Sequence, residues 1–225
     1  MPFRYSLGVR YSTSLLAAAL VLASCGESSG SSLAGLGDEF DIAALSDVVL
    51  RLCGDTQCSD YSQSECEFYL RYDSLTWARL SEEPDVCFAA LMSELHCLAE
   101  AGSCSETSCF APDDACQLAM EAPDISIPEA LEPTRETCER WADCDVARFD
   151  AERDEAIAEC RADLIAQAEI YQQDSGPACA QRFIDFAACI GRAELSCDAD
   201  GDDEDAACPQ ESAAFYKTCF PGIAP

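Results

Sequence analysis

The sequence predicts an all-α fold, with two small disulfide-stapled helical modules in tandem that are related by internal duplication. Apolar residues recur at three- and four-residue spacing in several segments, which is typical of helices that cover a core. The chain has 17 cysteines in 225 residues, and a pair with nine residues between its members occurs twice, at Cys87/Cys97 and Cys179/Cys189. On a helix the two sulfurs of such a pair lie about 15 Å apart. Since a disulfide needs Cα atoms within about 7 Å, each of these two hub helices must be stapled to other segments.

The amino terminus predicts export and lipid attachment. Arg4 and Arg10 precede a short apolar run, so residues 1–24 have the pattern of a signal peptide. The next residues, Leu22-Ala23-Ser24-Cys25, resemble the lipobox of bacterial lipoproteins. That resemblance implies acyl chains such as palmitate on Cys25, and Gly26 favours sorting to the outer membrane. The alternative is an ordinary secretory signal, with Cys25 left to form a disulfide.

The cysteine count supports the lipidated reading. Without Cys25, 16 of the 17 cysteines remain, an even number that suits disulfides in an oxidising compartment. They fall into two sets of eight: Cys53, Cys58, Cys66, Cys87, Cys97, Cys104, Cys109 and Cys116, then Cys138, Cys144, Cys160, Cys179, Cys189, Cys197, Cys208 and Cys219. Eight cysteines allow 105 pairings, so the sequence leaves the connectivity within each module open.

The first half of the mature chain reads as a tether followed by three helices. Residues 25–38 comprise the lipidated cysteine and a flexible tether, and residues 39–122 form module 1. Helices are expected over Asp38–Cys53, with Asp38 as its cap, and over Tyr61–Leu80. The first hub helix follows Pro84 and is stopped by Gly102.

The second half begins with a proline-rich linker, residues 123–134, which is expected to be extended and to space the modules. Module 2 covers residues 135–225. Its helices are expected from Thr134 to Trp141, from Asp150 to about Gln173, from Pro177 to near Gly191, and over Pro209–Cys219.

The cysteine intervals indicate the duplication. The central gaps are 20, 9 and 6 residues in module 1 and 18, 9 and 7 in module 2. The nine-residue spacing is similar to that of coiled-coil-helix-coiled-coil-helix proteins, whose two such pairs face each other. Each module here has one such pair, and Cys208 and Cys219 have ten residues between them rather than nine, so the similarity indicates helical geometry alone. Two further features are a W-x-x-C motif from Trp141 to Cys144 and a P-x-C-x9-C motif from Pro177 to Cys189. Together with the lipobox and the tandem modules of eight cysteines, they resemble uncharacterised cysteine-rich tandem-module lipoproteins of myxobacteria-like Gram-negative bacteria, which implies a location and a class but no mechanism.

The charge of the chain limits its partners. The whole chain carries a formal net charge of −30, and without the two leader arginines the excess of acidic residues is larger still. Both modules are acidic, with 3 basic against 17 acidic residues in module 1 and 8 against 21 in module 2. A basic patch for nucleic acid or anionic lipid is therefore not expected. The charge predicts either a solvated envelope surface or attraction for cations or for a basic envelope or surface protein.

One acidic segment is a candidate weak Ca²⁺ site. Its proposed ligands are Asp198, Asp200, Asp202 and Asp205, because Ca²⁺ prefers several carboxylates on a flexible loop. The segment resembles the start of an EF-hand, but Asp203 occupies the glycine position and Pro209 the position of the bidentate glutamate. The alternative is a solvated acidic loop.

The sequence offers little for catalysis. His96 is the only histidine, and its neighbour Cys97 is expected in a disulfide, where it is no nucleophile. We therefore predict a non-catalytic binding or structural module, anchored by lipid in the cell envelope. A peptidase-inhibitor-like module is the alternative, and an enzyme is not expected.

Overall fold

The computed structural model describes residues 33, 36–37, 39–55, 62–102, 107–109, 115–119, 122–149, 152–199 and 201–221. The fold class is confirmed, because these residues form α-helices and no strand, apart from a single antiparallel bridge between Ser81 and Leu118. The helices are α1 Ile42–Asp55, α2 Gln63–Leu80, α3 Pro84–Ala101, α4 Arg135–Phe149, α5 Arg153–Ser175, α6 Pro177–Arg192, α7 Gly201–Ala207 and α8 Pro209–Cys219. Within the described part of the chain, no helix has both the length and the apolar composition that a membrane span needs.

The helices of module 1 begin and end at recognisable signals. At the start of α1, Asp41 accepts a hydrogen bond from the Ala44 N–H at 3.0 Å, whereas the predicted cap, Asp38, lies outside the described residues. Ser62 and Glu65 form a reciprocal capping box at the start of α2. The hub helix α3 starts at Pro84 and is followed by Gly102 in the left-handed conformation, with φ 61°, as predicted.

The linker is not an extended spacer. Residues Glu129–Thr134 form a 3-10 helix, and Ile125 and Leu131 are buried in the core of module 2. Arg161 of α5 donates a hydrogen bond to the Ile125 carbonyl at 3.2 Å. The apolar residues between the prolines therefore dock on the module that follows, because burying them is more favourable than leaving them in water.

The central helix of the molecule is α5, which packs on helices of both modules. Ala166 and Ile170 belong to the apolar core of module 1, whereas Ala162, Leu164 and Ile165 belong to the core of module 2. A helix with buried residues on several sides lacks the single apolar stripe of a surface helix. The two modules consequently share an interface, in contrast to the expectation drawn from the linker.

Gly191 lies inside α6 and marks a close contact between helices. A Cβ atom at this position would lie 2.5 Å from both the backbone nitrogen and the hydroxyl of Thr137 in α4. The Thr137 hydroxyl donates to the Ala187 carbonyl at 2.7 Å. Glycine is needed here because any side chain would force α4 and α6 apart.

Candidate functional site

The disulfides of the described residues bear out the geometry expected of the hub helices. In α3, Cys87 pairs with Cys116 and Cys97 with Cys109. In α6, Cys179 pairs with Cys219 and Cys189 with Cys208. No hub cysteine pairs with the other cysteine of its own helix, so each hub helix is tied at both ends to the chain that follows it.

The described disulfides of the two modules follow the same pairing order. In module 2 the first cysteine pairs with the third, the second with the sixth, the fourth with the eighth and the fifth with the seventh; these disulfides are Cys138–Cys160, Cys144–Cys197, Cys179–Cys219 and Cys189–Cys208. The three described disulfides of module 1 repeat three of these pairings, namely Cys53–Cys66, Cys87–Cys116 and Cys97–Cys109. Its second and sixth cysteines, Cys58 and Cys104, lie outside the described residues, as does Cys25. Since eight cysteines allow 105 pairings, this agreement favours the predicted duplication.

In module 2 the hub helix and the last helix are stapled at both ends. Cys179 near the start of α6 pairs with Cys219 at the end of α8, and Cys189 near the end of α6 pairs with Cys208, which precedes α8. The two helices must therefore run antiparallel. Cys208 and Cys219, with ten residues between them, thus face Cys179 and Cys189, which have nine residues between them.

The acidic segment proposed for Ca²⁺ is only partly a loop. Its second half is α7, and Asp202 and Asp203 lie in the first turn, where negative charge is favourable at a helix start. The Asp205 carboxylate accepts a hydrogen bond from the Ser212 hydroxyl at 2.7 Å. Asp198 is exposed, and Asp200 lies outside the described residues. Among the described residues no three metal-ligating side chains lie together, so the Ca²⁺ site stays a prediction.

Carboxylates of α7 affect the titration of one tyrosine of α8. Partial burial raises the pKa of Tyr216 to about 12, and the charges of Asp205, Asp202 and Glu204 add to the rise. This corner of the molecule is therefore negative, as the composition predicts, and Tyr216 stays protonated at physiological pH.

His96 lies at the surface, as predicted. Its ring nitrogen is 3.2 Å from the guanidinium of Arg51 in α1. The neighbouring Cys97 is held in its disulfide with Cys109, so the thiolate that a cysteine nucleophile requires is absent there.

The feature that sequence reasoning missed is a buried polar joint between the modules, formed where α2 of module 1 packs on α5 of module 2. At its centre, Arg79 donates to both carboxylate oxygens of Glu169 at 2.7 Å. Each side chain is only 2% exposed. Arg79 also donates to Glu39 at 3.0 Å and lies over the ring of Phe40, 4.9 Å from its centroid. Removing two charged side chains from water costs free energy, and the additional hydrogen bonds and the ring contact offset part of that cost.

A second ion pair closes one end of the joint. Arg71 of α2 donates to the two carboxylate oxygens of Asp174 at 2.6 and 2.8 Å. Arg71 is buried, with its side chain 8% exposed, whereas Asp174 is half exposed. The fork geometry of the guanidinium fixes the orientation of α2 against the end of α5.

A third polar contact of the joint involves no cation from the described part of the chain. The carboxylate of Asp163 in α5, a residue that is 9% exposed, accepts a hydrogen bond from the Thr76 hydroxyl at 3.1 Å. Burial raises the pKa of Asp163 to about 7, and the charges of Glu159 and Asp73 add to the rise, whereas hydrogen bonds from Tyr72 and Thr76 oppose it.

The chain that precedes α1 crosses this joint. We call its described residues, 33, 36–37 and 39–40, the strap. On module 2, the Gly37 N–H donates to Glu169 at 3.2 Å, and Leu36 is 1% exposed in the apolar core. On module 1, Phe40 stacks on Phe88 with ring centroids 4.6 Å apart. Leu36 and Gly37, which the sequence assigns to the tether, are thus held between the modules.

The sequence did carry a signal for the joint. Module 1 has three basic residues, and two of them, Arg71 and Arg79, lie four residues to either side of the buried Leu75 in α2. An arginine within an apolar helical stripe indicates a buried acidic partner. The sequence does not say which of the 43 acidic residues that partner is.

Comparison of the chain with protein-family models, with curated proteins and with solved structures found no match.

Proposed function

We propose that this protein is a lipid-anchored component of the cell envelope, on the outer membrane, that presents two disulfide-stapled helical modules as a non-catalytic, acidic binding platform. Its partner is a basic protein of the envelope or surface. The observation that carries the proposal is the cysteine arithmetic. Fourteen cysteines are joined in seven disulfides among the described residues. If module 1 follows the pairing order of module 2 throughout, Cys58 and Cys104 are partners of each other. Cys25 is then the one cysteine left, and it carries the lipid.

The compartment follows from the same disulfides. Seven cross-links in a chain of this length are typical of an oxidising environment such as the bacterial periplasm or cell surface. An apolar leader that ends in Leu22-Ala23-Ser24-Cys25 supplies both the export signal and the attachment point. Three acyl chains carry enough hydrocarbon for stable anchoring.

The binding role follows from charge and rigidity. A net charge of −30 on a scaffold cross-linked within each module attracts basic partners over several ångströms and costs little ordering entropy on binding. The cysteines of the described hub helices are held in disulfides, so they supply no nucleophile, and the single histidine lies at the surface beside Arg51.

The anchor is tested with Cys25→Ser in cells fed a labelled fatty acid. We expect the wild-type protein to carry the label and to partition with membranes, and the variant to lose both properties. Ser28→Ala, which alters the predicted tether but leaves the lipobox intact, is the matched control and should behave as wild type. Label on the Cys25→Ser protein would show that the lipobox interpretation is wrong.

The partner class is tested by retention of envelope proteins on the immobilised mature protein. A basic protein that binds at about 50 mM salt and is released as the salt is raised towards 0.5 M supports the electrostatic platform, because screening shortens the reach of surface charge. A peptidase retained stoichiometrically and independently of salt would instead support the inhibitor alternative.

A further inference from the structure

The joint between the modules has no covalent support of its own among the described residues. All seven disulfides described there connect cysteines of the same module. The modules are connected through the chain by residues 123–134 and, among the described residues, by the contacts of α5 with α2 and α1 and by the strap. Any motion of one module against the other must therefore occur at this joint.

Among the described residues, no cation compensates Asp163 in the joint. Its hydrogen-bond donors are the neutral hydroxyls of Thr76 and Tyr72. The charged groups that act on it are anions, namely Asp73 of α2 and Glu159 of its own helix. Glu159 is in turn affected by Asp145 of α4 and is partly buried, and both effects raise its pKa.

The cations of the joint are engaged elsewhere along α5. Arg79 binds Glu169 and Arg71 binds Asp174. These acids follow Asp163 by six and eleven residues, which is about 9 and 16 Å along a helix. Neither guanidinium is therefore placed to neutralise Asp163 directly.

We propose that Asp163 makes the joint a proton-controlled latch, which is held shut while this carboxyl is neutral and opens more readily once it is ionised. A neutral carboxyl keeps its hydrogen bonds with the two hydroxyls at little cost. An ionised one places a charge beside two other anions in a site from which water is largely excluded.

The direction of the pH dependence follows from proton linkage. In the open joint Asp163 is solvated and titrates near the ordinary value of about 3.9. In the closed joint burial raises its pKa to about 7. Closing therefore takes up a proton between these values, so the opening constant rises by about tenfold per pH unit from pH 4 to 7 and levels off above.

The strap connects this latch to the anchor. It binds module 2 through Gly37 and packs on module 1 through Phe40, so opening the joint must release one of these attachments. If Cys25 is lipidated, as proposed above, the anchor leaves the molecule at this joint, and ionisation of Asp163 changes how freely the two modules move above the membrane. This consequence alone rests on the proposed function.

The test is hydrogen exchange of the mature protein between pH 5 and 8, followed by mass spectrometry and corrected for intrinsic exchange rates. In the wild type we expect exchange in α2, α5 and the strap to rise about tenfold per pH unit up to about pH 7. Asp163→Asn should flatten this rise between pH 6 and 7, because the amide keeps an acceptor for Thr76 but cannot ionise. Below pH 6 the variant should keep part of the rise, because burial raises the pKa of Asp73 to about 6 and this carboxyl still titrates. Asp47→Asn removes an exposed charge of α1 and should leave the wild-type profile unchanged.

A rise in Asp163→Asn that matches the wild type, or a flat profile in the wild type, would overturn the latch. Should Asp163→Asn fail to fold, the carboxyl carbon of Asp163 is followed by NMR in the wild-type protein. Its titration midpoint should coincide with the pH at which exchange in α2 and α5 levels off, and a midpoint near 4 would also refute the proposal. Neither result affects the fatty-acid labelling of Cys25, so failure of the latch and failure of the anchor are distinguishable.

Discussion

Glu169→Gln should destabilise the protein strongly, because it breaks the ion pair at the centre of the joint. Glutamine keeps one oxygen but directs an amide towards the guanidinium of Arg79 or the N–H of Gly37, and both of these are donors. Arg79, 2% exposed, is then left with Glu39, which is half exposed. Removal of one partner from a buried pair costs about 3–5 kcal/mol. The remaining partner places the expected loss near the lower limit, about 3 kcal/mol.

The assay is urea unfolding at pH 7 with the disulfides intact. For a slope of about 2 kcal/mol per M, the loss moves the midpoint down by about 1.5 M. The matched control is Glu132→Gln, which removes the same charge from a surface pair with Arg135 whose side chains are both about half exposed. It should cost no more than about 0.5 kcal/mol.

A double variant separates the loss of the pair from the exposure of an unpaired charge. Arg79→Met with Glu169→Leu replaces both charges by apolar groups of similar length, and it should recover most of the stability lost in Glu169→Gln. A loss below about 1 kcal/mol in Glu169→Gln, or no recovery in the double variant, would refute the inference that this buried pair holds the joint.

Two further predictions concern the stapled modules. Peptide mapping of the unreduced mature protein should find a disulfide between Cys58 and Cys104, because their counterparts pair in module 2, and a free thiol at either would contradict the shared order. Gly191→Ala should destabilise the protein by about 1–3 kcal/mol, because its Cβ would lie 2.5 Å from Thr137. Gly54→Ala in α1, where the nearest side-chain atom is 3.6 Å away, should be neutral or slightly stabilising, and equal urea midpoints for the two variants would contradict the close contact of α4 and α6.

Local signals predicted the helices well where proline, serine or glycine marks a boundary. Pro84, Pro177 and Pro209 each begin a helix at the predicted residue. The sequence does not predict α7, because its seven residues have no apolar stripe and a short acidic segment of this kind has the composition of a loop. A helix could be predicted only where apolar residues recur with helical periodicity, and α7 is too short and too polar to show that pattern.

The only long-range feature that the sequence predicts is which cysteines cannot pair with each other. The 15 Å separation within each nine-residue pair excluded pairing inside a hub helix, and the structure confirms that exclusion. The contact of Arg79 with Glu169 spans 90 residues, and no spacing rule connects two such side chains. The prediction that residues 123–134 form an extended spacer was wrong for a related reason. Proline content indicates how stiff a segment is, but it does not indicate that Ile125 and Leu131 pack into the core of module 2.

In the described residues, disulfides stabilise each module, whereas non-covalent contacts hold the two modules together. The described disulfides restrict the unfolded state within each module, where small cores are marginal. They leave the relative position of the modules to non-covalent contacts, in which the apolar Ala166 and Ile170 of α5 lie beside Arg79, Glu169, Asp163 and the strap. A polar joint can respond to protons because its strength depends on charge, whereas an apolar contact of the same size would not. With the cross-links inside the modules and Asp163 between them, the pH response that we propose occurs at the joint, and the acidic surfaces that we propose for partner binding stay rigid.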